Sequence, residues 1–187
     1  MNMSSLSRMP FSPEAAWPEL ARVDSTVARA FWLLVVPLSL LPPVMIYLAG
    51  SHYGDAFFDG FGSKPWALIA TIFFLCELAS VTFMGWLIRL VAHAWNERVS
   101  SRNAYVLAAV AAVPLWVSSL GLLVPSVAFN VALSVAALIL SCALVFQGVR
   151  SFCQISEYDI VQAVAITQLV FGGGLIAWGF LMLLIIV

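Results

Sequence analysis

Charged residues are scarce in this chain, at 9% of its 187 residues, whereas a typical soluble domain carries about 25%. Hydrophobic residues make up 63% of the chain, and its mean hydropathy is +1.05. A chain so poor in charge cannot cover its surface in water, which excludes a soluble αβ domain and predicts that the lipid bilayer covers most of the surface. The net charge is −1, so no basic field indicates a nucleic-acid partner, and we expect none.

Cysteine is also scarce. Cys76, Cys142 and Cys153 have a spacing that fits no metal or redox motif, and we interpret them as small packing residues. The first 29 residues contain no short apolar run followed by a small-residue cleavage site. The first apolar span is therefore expected to act as the insertion signal.

Long apolar runs dominate the rest of the chain, from residue 30 to residue 187. They lie at about 30–49, 66–91, 104–124, 127–146 and 160–187. At ~1.5 Å per helical residue, a run of ~20 residues crosses a hydrocarbon core of ~30 Å. The third and fourth runs are joined by Val124-Pro125-Ser126, which allows only an antiparallel turn. The predicted fold class is an all-α polytopic membrane protein with five transmembrane helices.

The distribution of lysine and arginine predicts the orientation of this bundle. The N-terminal arm holds three, the second loop with its helix end three, and the fourth loop one, whereas the first loop holds only Lys64. The positive-inside rule then places the N-terminus in the cytoplasm and, with five spans, the C-terminus outside. Residues 1–29 are predicted to form a cytoplasmic arm. Its short interfacial helix would begin at Ser12-Pro13-Glu14, with an ordinary solvated arm as the alternative.

Glu77 falls near the middle of the second span. Together with Gln168 in the fifth span, it forms our candidate intramembrane polar site. A charge at that depth costs about 2.5–3.5 kcal/mol on insertion scales, so we expect Glu77 to be protonated or hydrogen-bonded. Side chains at a similar depth are Ser39, Ser118, Ser119, Ser134 and Ser141, with Gln168 nearer the cytoplasm. An interhelical hydrogen bond that fixes packing is the favoured interpretation, and a proton or cation site is the alternative.

Arg89, His93 and Glu97 recur every four residues at the cytoplasmic end of the second span, on one helix face. We interpret this cytoplasmic interface cluster as interfacial anchoring with an ion pair, and a pH-sensitive cluster is the alternative. His52, Asp55 and Asp59 lie in the loop predicted to begin at Gly50 and are interpreted as solvated and turn-forming residues. We expect no metal site and no cofactor.

Small residues at four-residue spacing mark two of the spans, and they let helix backbones approach closely. These alanine stripes are Ala104, Ala108 and Ala112 in the third span and Ala128, Ala132 and Ala136 in the fourth. We expect both stripes to face neighbouring helices, with a homodimer contact as the rival use.

Proline and glycine mark further packing or hinge positions. Pro114 lies within the third span and removes one backbone hydrogen bond. Gly172, Gly173 and Gly174 fall near the centre of the fifth span, where close helix packing is favoured over a hinge.

The third and fourth spans carry residues that resemble the Yip family, the Ypt/Rab-GTPase-interacting membrane proteins, in its bacterial branch. The features are Tyr105, then Pro114-Leu115-Trp116-Val117, Leu123, Pro125 and Gln147-Gly148-Val149, with Ser12-Pro13 and Trp17 near the start. The resemblance covers most of the chain and implies a compact five-helix protein of the bacterial cytoplasmic (inner) membrane.

This chain departs from the family pattern in two places. The late fourth span reads Ser141-Cys142-Ala143-Leu144-Val145-Phe146 instead of carrying tyrosines, and the Asp-Leu-Tyr-Gly-Pro type motif of eukaryotic members is not present. The small-GTPase binding of those eukaryotic relatives is therefore not carried over.

The sequence as a whole favours a non-enzymatic scaffold or membrane-organising protein. It would act through helix–helix contacts in a homo-oligomer or with other membrane proteins. The alternative is a small proton- or cation-coupled transporter or channel that uses Glu77. A membrane enzyme ranks third, because only Arg89, His93 and Glu97 cluster at an interface, without a nucleophile or metal spacing.

Overall fold

The computed structural model describes residues 31–57, 59–94 and 100–152, together with the single helical positions 165, 167 and 172. Every regular element in this part of the chain is helical. The α-helices are α1 (Val36–Ser39), α2 (Leu41–Phe57), α3 (Trp66–Ala94), α4 (Ser101–Ser118) and α5 (Val127–Phe152). The predicted arm 1–29, Glu97 and the predicted fifth span, apart from those single positions, lie outside the described residues.

Four helical segments of the described chain are long and apolar enough to cross a membrane. They are Phe31–Ala56, Trp66–His93, Ser101–Leu123 and Val127–Ser151. An all-helical membrane fold is thus confirmed, and four of the five predicted spans have a counterpart at the expected place in the chain.

The first span is irregular at its start, where the sequence is rich in proline. A π-helical turn, Phe31–Val35, leads into α1, and Leu40 separates α1 from α2. Pro37 lies in the first turn of α1. Proline is tolerated at a helix start because the missing N–H would have no partner there. The proline-rich start of this span is therefore divided into two helices.

The same span is longer than predicted, because α2 continues through Phe57 instead of ending at Ala49. The expected loop beginning at Gly50 is therefore wrong at its start. Gly50 and Gly54 are buried in the helix, and a Cβ added at Gly50 would overlap the Trp66 indole ring. The missing side chain at Gly50 therefore allows a close approach of α2 to Trp66 at the start of α3.

Helix α4 is the centre of the described bundle. It packs against α3 on one side and α5 on the other, and the first span also contacts it. Its residues from 104 to 111 are buried without interruption, over more than two helical turns. A helix buried on every side has no lipid-facing stripe along that stretch.

Close approaches hold α4 against both neighbours. A Cβ added at Gly85 of α3 would lie 3.1 Å from the Tyr105 Cα atom, and one added at Gly148 of α5 would overlap the Leu107 side chain. Pro114 lies inside α4 without breaking it, and the chain then tightens into a 3-10 turn, Ser119–Leu123. The helix thus remains continuous at the depth where it faces Glu77.

The two alanine stripes differ in their surroundings. On α4, Ala104 is 0% and Ala108 is 2% exposed, and Ala112 packs against the core, which confirms the expectation for that helix. On α5, Ala128, Ala132 and Ala136 are all exposed. No described helix covers this second stripe, so for α5 the expectation of a neighbouring helix is not met within the described residues.

Candidate functional site

Glu77 of α3 faces the middle of α4. Its carboxyl shares a cavity lining with the Trp116 side chain, which is placed to interact with it. Trp116 is 2% exposed and has the largest of the fully buried side chains in the described chain. The indole N–H is a donor only, so it can satisfy one carboxyl oxygen and cannot act as a base. The side chain placed to interact with the intramembrane acid is thus an aromatic donor.

Sequence reasoning missed this partner and proposed serines instead. The hydroxyls of Ser118 and Ser119 each donate to a carbonyl of their own helix, at 2.8 and 2.6 Å. Ser39 does the same within α1, at 3.2 Å. Ser134 is exposed on α5. The signal for Trp116 was an indole at the matching depth of the next span, since buried tryptophan N–H groups usually find an acceptor.

Ser141 of α5 is the predicted partner that the structure does bring to the site. It lines the same cavity as Glu77, a partly open space of about 120 Å³ bordered by α3, α4 and α5. The floor of this cavity is formed by small residues of α4, Ala108, Ala111 and Ala112. The buried α4 stripe therefore has a second consequence, because its short side chains leave room between α3 and α5.

Two polar atoms in this cavity have no protein partner. Glu77 Oε2 and Ser141 Oγ are both buried and both lack a hydrogen bond. Ser80 Oγ, also in the cavity lining, donates to the Cys76 carbonyl at 2.7 Å and keeps its lone pairs as acceptors. Unpaired buried oxygens are costly, so such a site favours a ligand or water that can pair with them.

Two further cavities of the described chain are larger than the one beside Glu77. One of about 420 Å³ lies between α2 and α5 beside Gly50 and Trp66, and one of about 320 Å³ lies between α2 and α3 beside Tyr47 and Phe74. All three cavities are lined chiefly by apolar groups, and of the three only the Glu77 cavity has an acidic side chain in its lining. The cavity that contains the acid is thus the smallest of these three, so cavity size alone would have indicated a different site.

The cytoplasmic interface cluster is only partly within the described residues. Arg89 Nη1 donates to Ser101 Oγ at 2.7 Å, which ties the end of α3 to the start of α4. His93 is exposed, and Glu97 lies outside the described residues. The predicted ion pair therefore stays a prediction, and the observed partner of Arg89 is a hydroxyl on the following helix.

The remaining predicted site residues lie mostly outside the described chain. Gln168, Gly173 and Gly174 belong to this group. Gly172 is described, and a Cβ added there would meet no atom within 4 Å. The residues that the structure describes include no group of three or more His, Cys, Asp or Glu side chains that could hold a metal ion. Asp55 accepts a hydrogen bond from the Gly62 N–H at 3.0 Å, as a turn-forming residue does.

These features define an integral membrane protein with a small cavity between its helices that contains one acidic side chain. The Yip1 domain family model matches residues 8–185, and the chain belongs to that family. It is similar to the inner membrane protein YohC of Escherichia coli K12, with 26% identity over 151 residues, 79% of this chain and 77% of that protein. The YohC protein of E. coli O6:H1, strain CFT073, matches equally. No solved structure matches.

The comparisons confirm the resemblance drawn from the third and fourth spans. They also confirm, with the four membrane-length helices, the predicted location as a multi-pass protein of the bacterial inner membrane. The name of the relative specifies a membrane and no activity.

Proposed function

We propose that this protein is a non-enzymatic scaffold of the inner membrane that acts through helix–helix contacts between two copies of the chain. The contact face is the exposed alanine stripe of α5, Ala128, Ala132 and Ala136. The single observation that supports it is the exposure of all three alanines, while Ala104 and Ala108 of the equivalent stripe on α4 are buried.

The chemistry of this face suits a helix–helix contact. Larger apolar side chains flank the alanines, with Val131 57%, Val135 51% and Ile139 65% exposed. Lipid tails are as apolar as the side chains, so burying an apolar side chain away from lipid gives no hydrophobic stabilisation. Helix association then depends on close packing of backbones over small residues. A smooth stripe between branched neighbours offers that packing.

A second copy of the chain is the occupant that the geometry favours. Two copies inserted in the same orientation present α5 in parallel, so each alanine meets the alanine at its own depth. A two-fold axis along the membrane normal then makes the patch complementary to itself. A dimer of this kind requires no second binding surface, because both copies use the same face of α5.

The proposed topology has five spans, with the N-terminal arm of residues 1–29 in the cytoplasm and the C-terminus outside. Arg89 contacts Ser101 at the α3–α4 connection, and Arg150 lies near the end of α5. The adjoining residue Arg102 begins α4, whereas Lys64 precedes α3 at the opposite end of that helix. Arginine at one end and lysine alone at the other supports this orientation.

Disulfide cross-linking in native membranes tests the self-contact. In a chain with Cys76, Cys142 and Cys153 replaced by alanine, Ala132→Cys should form a covalent dimer on mild oxidation. Ala79→Cys, an exposed alanine on α3, is the matched control and should remain monomeric. The proposal fails if Ala132→Cys gives no dimer, or if both positions cross-link equally through random collision.

The alternative function, a small proton- or cation-coupled transporter or channel, is favoured by one observation, the cavity at Glu77. A pathway needs polar groups at successive depths, and this cavity places Glu77, Ser80 and Ser141 together at one depth. The cavity supports a binding site better than it supports a conduit.

A further inference from the structure

We propose that the cavity between α3, α4 and α5 is a binding site for a small monovalent cation, held by the Glu77 carboxylate and the Ser141 hydroxyl. This inference is independent of the self-contact on α5 and goes beyond it. The cation would be an alkali metal ion of the size of Na⁺ or K⁺.

The unpaired oxygens supply the first argument. Glu77 Oε2 and Ser141 Oγ come from two different helices, line one cavity and have no hydrogen-bond partner. Ser141 is 1% exposed, so its hydroxyl cannot be satisfied by bulk water. Two buried, unpaired oxygens in the lining of one cavity are the ligand type that hard cations prefer, with the Ser141 hydroxyl acting as an acceptor toward the ion.

The charge of the site supplies the second argument. Glu77 is the one charged side chain in the cavity lining. A single carboxylate is neutralised by a single positive charge, and a neutral pair is far less costly in hydrocarbon than an isolated ion. A divalent ion would leave the site with an uncompensated positive charge at the same depth.

The size of the cavity supplies the third argument. One water needs about 10–15 Å³ of this kind of space, so about 120 Å³ admits an alkali ion with several waters. Ser80 Oγ can accept as a third protein ligand. Trp116 lies in the same lining, where its indole N–H can donate only to the carboxylate and cannot bind the cation.

Occupancy of the site would tie together helices that barely touch otherwise. Helix α4 separates α3 from α5, and the cavity spans the gap between them. A cation bound to Glu77 and Ser141 links α3 to α5 across the alanine floor. The bound ion should therefore stabilise the folded bundle.

The test is thermal unfolding of the purified full chain in detergent, in NaCl, KCl or N-methylglucamine chloride at constant ionic strength. One alkali ion should raise the melting temperature saturably, by roughly 5–10 °C at a hundredfold excess over its Kd. Glu77→Gln should abolish the rise, and Ser141→Ala should weaken the Kd about tenfold or more. Ser134→Ala, an exposed serine of α5 outside the cavity, should leave it unchanged.

Equilibrium dialysis with radioactive sodium or rubidium provides a readout independent of stability. If Glu77→Gln does not fold, the dialysis Kd of Ser141→Ala decides, and an unchanged Kd overturns the site. The inference is also overturned if neither ion stabilises the wild-type chain, or if Glu77→Gln keeps the full effect. A negative result here leaves the cross-linking result at Ala132 unaffected, so the two proposals fail separately.

Discussion

Helices α4 and α5 both carry alanines at four-residue spacing, but these alanines lie in opposite surroundings. On α4 the first two alanines of the stripe are 0% and 2% exposed, whereas on α5 all three lie at the surface. The helices are adjacent in the chain and pack against each other. The difference therefore comes from position in the bundle, since α4 lies between α3 and α5 while α5 has one described neighbour on its inner face.

The difference teaches what a stripe of small residues can specify. Spacing decides which helix face another backbone can approach, because small side chains remove the steric barrier along one line. It does not decide which helix makes the approach, because in lipid no solvent drives that face inward. An alanine face on α5 can remain exposed at little cost until a partner of the right shape meets it.

Substitutions on the face of α5 that packs against α4 should have the largest effect on stability. Gly148→Leu introduces a side chain where even a Cβ would overlap Leu107 of α4. Overpacking of a filled interface costs roughly 1–3 kcal/mol and at times more, so we expect a loss of about 3 kcal/mol. The measurement is the free energy of unfolding in mixed micelles with increasing dodecyl sulfate.

Ala136→Leu is the matched control on the exposed stripe of the same helix, and its effect should stay within about 0.5 kcal/mol. Adding Leu107→Ala to Gly148→Leu should recover part of the lost stability, because the two changes exchange volume across one contact. Equal losses from Gly148→Leu and Ala136→Leu would contradict the two-faced description of α5.

Trp116→Phe should have an intermediate effect, since it keeps an aromatic ring and removes the donor that faces Glu77. Interhelical polar contacts in membranes contribute about 0.6 kcal/mol on average and up to about 1.7 kcal/mol. We expect a loss near 1 kcal/mol in the same unfolding assay. Trp86→Phe on α3, 55% exposed, is the control and should be nearly neutral.

A double-mutant cycle separates the polar contact from the change in ring shape. In a chain carrying Glu77→Met, the cost of Trp116→Phe should fall, because the acceptor is gone. If the cost stays the same, Trp116 stabilises α4 by packing alone and Glu77 must be satisfied in another way.

Much of the architecture could be predicted from the sequence, whereas the site could be predicted only in part. Apolar length fixed the spans, since helices such as α3 need little else to cross a bilayer. The end of α2 was misplaced because Gly50 has no side chain to signal that Trp66 packs on it. A loop glycine and a close-packing glycine are the same residue in a sequence.

Glu77 could be identified as a candidate site residue from its depth in the membrane, but its neighbours on the other helices could not be predicted in full. Depth along a helix follows from residue count, which is why Ser141 was a correct candidate. Rotation about the helix axis does not follow from it, so serines that bond to their own helix, such as Ser118, could not be set apart. Aromatic donors were overlooked because Trp116 looked like an ordinary apolar residue.

Ala132→Leu should have the smallest effect on the stability of the monomer. Its result tests whether the alanines of α5 differ in role from those of α4. An exposed substitution of this kind should change the free energy of unfolding by no more than about 0.5 kcal/mol. Self-association, measured by energy transfer between labelled chains in vesicles, should weaken about tenfold, or ~1.4 kcal/mol. Ala79→Leu on α3 should change neither quantity. If Ala132→Leu instead destabilises the chain as strongly as Gly148→Leu, the stripe is covered within the chain itself. The self-contact would then be abandoned, because α5 would use its alanines as α4 does.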